Sequence, residues 1–335
     1  MRPVSASQRR APTPAGNPLI GRLLRLVGIL LMLTAVALAL SRAPDRSVQS
    51  LVERWAPAPS DFVELRGMVV HVRDEGPRDD PLPLVLLHGT GASLHTWQGW
   101  VGALKGQRRV ITLDLPGFGL TGPFAGSYDE FDYSGDAYAR FVIDLMDALK
   151  LQRVVLGGNS LGGEIAWRAA WLQPARVQSL ILVDALGPAF TPESIPLGFV
   201  VARVPALNWL VEEVLPRALV TQSLVSVYGD PTRVSADLVD RYFELALRDG
   251  NRRALGRLVR RLQPGQDAER IGTLKLPTLI LWGGRDKLIP PAVGVEFERL
   301  ISGSQRVVFP ALGHVPQEED PASSVAPVKA FLGLP

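Results

Sequence analysis

Ser160 sits in the run Val154-Val155-Leu156-Gly157-Gly158-Asn159-Ser160-Leu161-Gly162-Gly163, where an apolar strand-like stretch breaks into a turn and then reads as helix. A strand that reverses this sharply into a helix needs residues without a Cβ on either side of the turning serine, and Gly158 and Gly162 meet that need. The hydroxyl is then lifted above the sheet at a helix N-terminus, where backbone N–H groups can hold an oxyanion. The chemistry this pattern suits is attack of a serine hydroxyl on a carbonyl carbon.

A hydroxyl alone is a poor nucleophile. It needs a histidine to take its proton and a carboxylate to orient that histidine. The chain has four histidines, His71, His88, His95 and His314, and His314 alone follows Ser160. His314 lies in Ala311-Leu312-Gly313-His314-Val315-Pro316, after the strand-like Gln305 to Phe309. For the carboxylate, Leu276-Pro277-Thr278-Leu279-Ile280-Leu281 runs into Trp282-Gly283-Gly284-Arg285-Asp286, which puts Asp286 just past a strand. Asp184, at the end of Leu180-Ile181-Leu182-Val183, is the rival, since an acid there can also reach the histidine from the same edge of the sheet. The strand Pro83 to Leu87 ends in His88-Gly89-Thr90-Gly91-Ala92-Ser93, a loop whose backbone can approach a ligand. The Gly-Thr-Gly resembles a dinucleotide fingerprint, but Leu94 stands where a third glycine belongs. No cofactor is expected.

These segments, with Asp114-Leu115-Pro116-Gly117-Phe118-Gly119-Leu120-Thr121, resemble the α/β-hydrolase superfamily over about residues 60–335. The resemblance implies chain order Ser, Asp or Glu, then His, which selects His314; Asp184 and Asp286 both meet that order, and the Trp-Gly-x-x-Asp loop, the more specific signal, places Asp286 ahead. It implies an oxyanion hole from the N–H of Leu161, after the nucleophile, and of Thr90 in the Gly-rich loop, with His88 orienting that loop. It also implies an α/β-hydrolase fold: a mostly parallel sheet flanked by helices, with a helical cap inserted after the sixth strand.

A serine nucleophile argues against the haloalkane dehalogenase and epoxide hydrolase branches, which use aspartate there. The elbow and the Trp282 loop are similar to those of C–C bond hydrolases, although Val315 follows His314 where those enzymes carry tryptophan. Val227-Tyr228-Gly229-Asp230-Pro231-Thr232-Arg233 and the N-terminal apolar segment resemble membrane-attached bacterial lipase-like or esterase-like hydrolases. The expected activity is carboxylic ester hydrolysis on an apolar acyl or lipid-like small molecule. C–C hydrolysis of a dienoic acid and a non-catalytic binding module are the alternatives.

The elements that must position these residues alternate strand and helix, the pattern of a parallel sheet whose ligand site lies at the strands' C-terminal ends. Phe62–Arg66 and Met68–Arg73 read as an antiparallel opening pair, and Tyr138–Leu151 as a helix. The core is expected over 61–187 and 271–335, and the cap over 188–270, where strand signals vanish. One cap helix is expected from the N-cap Ser235 to a stop at Gly250. Another carries Leu255, Leu258, Val259 and Leu262, with Arg253, Arg257, Arg260 and Arg261 as a solvated face or a contact for anionic lipid. Phe199 to Val201, Leu207, Trp209 to Val211 and Leu215 make the first half of the cap apolar, suited to core packing and an acyl pocket.

With no cysteine and no His-Glu-x-x-His, the chain offers neither thiolates nor a zinc motif, and no metal is expected. Five arginines, Arg2, Arg9, Arg10, Arg22 and Arg25, lie before the apolar run that starts at Leu26, with no acidic residue among them; without them the net charge of +3 becomes −2, so nucleic-acid binding is not implied. Leu26 to Ser41 is uncharged and apolar; its 16 residues span ~24 Å as helix. With Arg25 and Arg42 snorkelling, residues 18–42 read as a signal anchor after a disordered basic tail (1–17) and before a linker (43–60). The catalytic unit is then extracytoplasmic at a bacterial inner membrane. Ala37-Leu38-Ala39 offers the alternative of a cleaved signal and secretion. Oligomeric state is not readable.

Overall fold

The computed structural model describes residues 18–335 other than 205 and 207–211. The basic tail of 1–17, and Leu207 and Trp209 to Val211 of the cap, lie outside the described residues. Two units form, 1–42 and Ala43–Pro335.

Within the first unit, Pro18–Leu40 is one helix of 23 residues, ~35 Å at 1.5 Å per residue and so long enough for the ~30 Å bilayer core. The uncharged stretch underestimates it, because the helix continues N-terminally through Arg25 and Arg22, and arginine propagates a helix well.

In the second unit, eight strands form one sheet in the order β1-β2-β4-β3-β5-β6-β7-β8. They are β1 (Ser60–Leu65), β2 (Met68–Glu75), β3 (Leu84–Leu87), β4 (Val110–Leu113), β5 (Val154–Asn159), β6 (Val177–Val183), β7 (Thr278–Gly283) and β8 (Gln305–Phe309). The β1/β2 and β2/β4 pairs are antiparallel and every other pair is parallel. All residues of β3, β4, β5 and β7 are buried, as strands covered on both faces must be. One face packs on the helices Gly135–Ala148 and Leu161–Leu172 through Phe141, Leu145, Ile165 and Trp167. The other packs on Trp97, Trp100, Val325 and Val328. This is the expected α/β-hydrolase fold.

Residues 43–60, expected as a linker, join the second unit. The helix Gln49–Trp55 buries Leu51 against Leu120 and Leu245, and Trp55 Nε1 donates to Glu244 at 2.8 Å. Its amphipathic pattern is too short to announce docking.

Between β6 and β7 the described residues contain helices and no strand. Ser235 caps Ala236–Ala246 as expected, accepting from Leu238 N–H at 3.1 Å. Gly250 does not end that helix. With φ +81 it begins the next one, Asn251–Arg261, because the chain between the two turns at Leu247 to Asp249. Arg253, Arg257, Arg260 and Arg261 are exposed, whereas Arg252, on the face of Gly256 and Val259, is buried.

Candidate active site

β3, β5, β6, β7 and β8 deliver the Gly-rich loop, Ser160, Asp184, Asp286 and His314 to one end of the sheet. Ser160 itself takes the strained backbone, φ 56 and ψ −116, a region that non-glycine residues rarely occupy. The neighbouring glycines provide room. A Cβ on Gly158 would collide with the Gly162 carbonyl, and one on Gly162 with the carbonyls of Leu87 and His88. The turn is held by Ser160 N–H donating to Val183 O at 3.0 Å and by Ser160 O accepting from Leu186 N–H at 3.0 Å.

His314 Nδ1 donates to Asp286 Oδ2 at 2.7 Å. The other oxygen, Asp286 Oδ1, accepts from the N–H groups of Leu288 (2.8 Å) and Ile289 (2.9 Å), which fixes the carboxylate on its loop. Asn159 Nδ2 donates to His314 O at 2.9 Å and so ties the serine turn to the histidine loop. Ser160, His314 and Asp286 are 8%, 5% and 2% exposed, dry enough to strengthen electrostatic interactions among them.

Asp184 stands beside this pair without bonding His314. Its Oδ1 accepts from Gly283 N–H at 2.9 Å. Full burial, then the negative charge of Asp286, pushes its carboxyl well above the usual range. Ligand atoms of Asp184, Asp286 and His314 lie within 4.8 Å of one another. The Asp286 and His314 atoms are taken up by their mutual hydrogen bond rather than turned to a common third point.

The Gly-rich loop lies against Ser160: a Cβ on Gly89 would stand 3.1 Å from Ser160 Cβ. Thr90 follows, in a turn closed by Ala92 N–H to Gly89 O at 3.2 Å, with Gly91 at φ +77. Leu161 opens the helix after Ser160, so the N–H groups of Thr90 and Leu161 belong to the two segments that flank the serine. His88 Nδ1 donates to Gly89 O (2.8 Å) and its Nε2 accepts from Leu115 N–H (2.9 Å). Burial holds this ring neutral.

A second His–Asp pair is built differently. His71 Nδ1 donates to Asp114 Oδ2 at 2.7 Å and its Nε2 meets Ser60 Oγ at 2.9 Å. Asp114 also accepts the N–H groups of Leu94 (2.7 Å) and Leu120 (2.8 Å). Burial raises its carboxyl, but His71 outweighs that and holds it well below the usual range. Its work is to pin two loops.

The sequence did not reveal Glu319. Only 5% exposed, it accepts from Gly229 N–H (3.0 Å) and Asp230 N–H (2.7 Å) of the cap segment and from Gly313 N–H (2.8 Å) beside the histidine. His314 N–H donates to Val227 O at 2.7 Å. The Val227-to-Asp230 segment therefore braces the histidine loop. Glutamate in a first helical turn after Pro316 was the available signal, and it reads equally well as a solvated residue.

Comparison with known proteins agrees with this architecture. The chain is 30% identical over 254 residues to a dihydrolipoyllysine-residue acetyltransferase component of an acetoin cleaving system from Pseudomonas putida, covering 75% of this chain and 63% of that one. It therefore spans less than two thirds of that protein. It is 30% identical to a 2-hydroxy-6-oxo-2,4-heptadienoate hydrolase, also from Pseudomonas putida, covering 75% of this chain and 88% of that one. The crystal structure of a bacterial membrane phospholipase A superposes with TM-score 0.67 at 26% identity, covering 94% of this chain and 96% of that one. A model of the alpha/beta hydrolase fold matches residues 83–321, from the strand before the Gly-rich loop to the segment after His314, and the chain belongs to that family.

Proposed function

We propose that this hydrolase cleaves carboxylic esters through an acyl-enzyme. Ser160 Oγ attacks the acyl carbonyl while His314 Nε2 takes its proton, and the N–H groups of Thr90 and Leu161 hold the oxyanion. His314 then protonates the departing alcohol. A water, deprotonated by the same nitrogen, releases the acid. Asp286 keeps Nδ1 protonated and stabilises the imidazolium that forms. The observation that carries this reading is the 2.7 Å bond from His314 to Asp286 at the strand ends where Ser160 turns.

Hydrolysis of a C–C bond by the same groups is the second reading. It is favoured by the similarity to 2-hydroxy-6-oxo-2,4-heptadienoate hydrolase over 88% of that protein. Its carbonyl is a ketone, and its leaving group is a stabilised carbanion that takes the proton. Val315, in place of the tryptophan of that branch, speaks for esters.

The N-terminal helix is read as an anchor that holds the catalytic unit on the membrane face opposite the basic tail. Similarity to a membrane phospholipase A over 94% of this chain supports attachment to a membrane. A signal peptide is the alternative. Recovery in the membrane fraction after alkaline carbonate, with the N-terminus intact, supports the anchor; a shortened soluble product rejects it.

The test of the chemistry is release of p-nitrophenol from a chain-length series of esters by the full chain in detergent, beside Ser160→Ala. Turnover that survives the substitution rejects Ser160. Phosphonate labelling of Ser160 without ester turnover, but with cleavage of a vinylogous diketone, selects the C–C reading.

A further inference from the structure

A cavity of about 450 Å³ opens between β2, the helix Gln98–Leu104 and the segment that leaves the helix Gln49–Trp55. Sites for small molecules have volumes of about 300–1,000 Å³. Ser160, His314, Asp286, Thr90 and Leu161 are not among its lining residues. Trp55, Leu94 and Val101 give it an apolar wall, and Arg54, Arg73 and Lys105 bring cations to it.

Two of those cations are matched. Arg54 pairs with Asp240 and Glu244, and Lys105 pairs with Glu75 at 2.6 Å. Arg73 has no carboxylate partner among the described residues. Its Nε donates to Ser60 Oγ at 2.9 Å, and its Nη1 has no acceptor among those residues. Its Nη2 stands 3.3 Å from His95 Nε2. That nitrogen, however, donates its own hydrogen to Trp55 O at 2.9 Å, while His95 Nδ1 accepts from Ser93 Oγ at 3.0 Å. A ring nitrogen that carries hydrogen has no lone pair for a second donor.

The carboxylates whose charge reaches Arg73 are committed elsewhere. Glu75 holds Lys105, and Asp114 accepts from His71, Leu94 and Leu120. Burial outweighs both charges and holds the Arg73 guanidinium below its ordinary pKa, so hydration lost by this cation is not made good within the fold. Arg73 is half-buried and its Nη1 keeps accessible surface. The fork is therefore open to a ligand. His95 beside it adds no charge, because burial pushes its pKa down to about 3.

We propose that this cavity binds a small organic anion, a carboxylate or a phosphate monoester on a body of a few apolar carbons. Two oxygens of the anion accept from Nη1 and Nη2 of Arg73, and the body covers Trp55, Leu94 and Val101. The site is separate from the chemistry assigned to Ser160 and does not rest on it.

The experiment is calorimetric titration of the full chain in detergent with benzoate, with phenyl phosphate and with benzyl alcohol, at constant ionic strength. An anion is expected to bind once per chain and the neutral alcohol not to bind; the tighter anion identifies the group, carboxylate or phosphate. Arg73→Gln, which removes the fork, is expected to weaken binding about tenfold. Gln98→Glu is expected to do the same by setting a carboxylate on the cavity wall. Gln98 is exposed, lines the cavity and opens its helix, where an acidic residue suits the helix dipole, so this variant tests the site even if Arg73→Gln fails to fold. Binding of neither anion, equal binding of the alcohol, or unchanged anion binding in Gln98→Glu overturns the site.

Discussion

Glu319 accepts the N–H of Gly313 at 2.8 Å, one residue before His314, and its carboxylate also binds two N–H groups of the cap. One buried side chain thus joins cap and histidine loop beside His314, which the proposed chemistry requires to be placed to within about half an ångström.

Replacing Glu319 by alanine leaves three N–H groups without their acceptor. Unfolding in urea is expected to show a loss of about 3 kcal/mol or more. Glutamine, which keeps one acceptor oxygen, should cost less. Ester turnover should fall in the same order, because the histidine loop loosens. Equal stability of wild type and the alanine variant would reject the brace.

Asp286 and Asp184 can be separated by activity. Asp286→Asn is expected to lower kcat roughly ten-thousand-fold, since an amide favours the wrong tautomer of His314. Asp184→Asn keeps an oxygen for Gly283 N–H and Asp184 makes no bond to His314, so kcat should stay within about threefold, an electrostatic change too small to alter transition-state binding much. A reversed order of effects would make Asp184 the orienting acid.

Asp184 also makes stability depend on pH in a direction opposite to most carboxylates. Its folded pKa is raised above the unfolded value of 3.8 by burial and by Asp286. Its contribution is complete below the unfolded pKa and is lost as pH rises toward the folded one, by about 1.4 kcal/mol per unit. Asp184→Asn removes that slope. The variant and wild type should match near pH 4, and the variant should be the more stable at pH 8. Denaturant midpoints across this range test it, and a gap that shrinks with rising pH would show that Asp184 is ionised in the fold.

Gly158→Ala tests the elbow. Its methyl would press on the Gly162 carbonyl, and backbone cannot rotate aside. A loss of about 1–3 kcal/mol is expected, with weaker phosphonate labelling of Ser160 in whatever fraction folds. Normal labelling and stability would mean that the turn relaxes easily.

The Ser160 turn, the alternation of strand and helix and the order of Ser160, Asp286 and His314 were legible in the sequence because they are local. Glycine spacing and apolar periodicity act over a few residues, and the sheet aligns the strand ends. The solvated arginines of the cap followed from the same periodicity. Asp286 stood ahead of Asp184 on its loop signal alone, since both end strands, and the packing distance that bonds Asp286 to His314 at 2.7 Å appears only in the fold. Gly250 misled because a left-handed glycine serves the end of one helix as well as the start of the next.

Arg252 and Glu319 needed the tertiary structure for a different reason. Arg252 finds Asp45 across 207 positions, and Glu319 finds Gly229 across 90. No local pattern marks a charge as buried when its partner lies so far along the chain. The sequence by itself determined the strand-turn-helix unit that presents Ser160; the fold decided which charges surround it, because burial and pairing of charge arise only when distant segments meet.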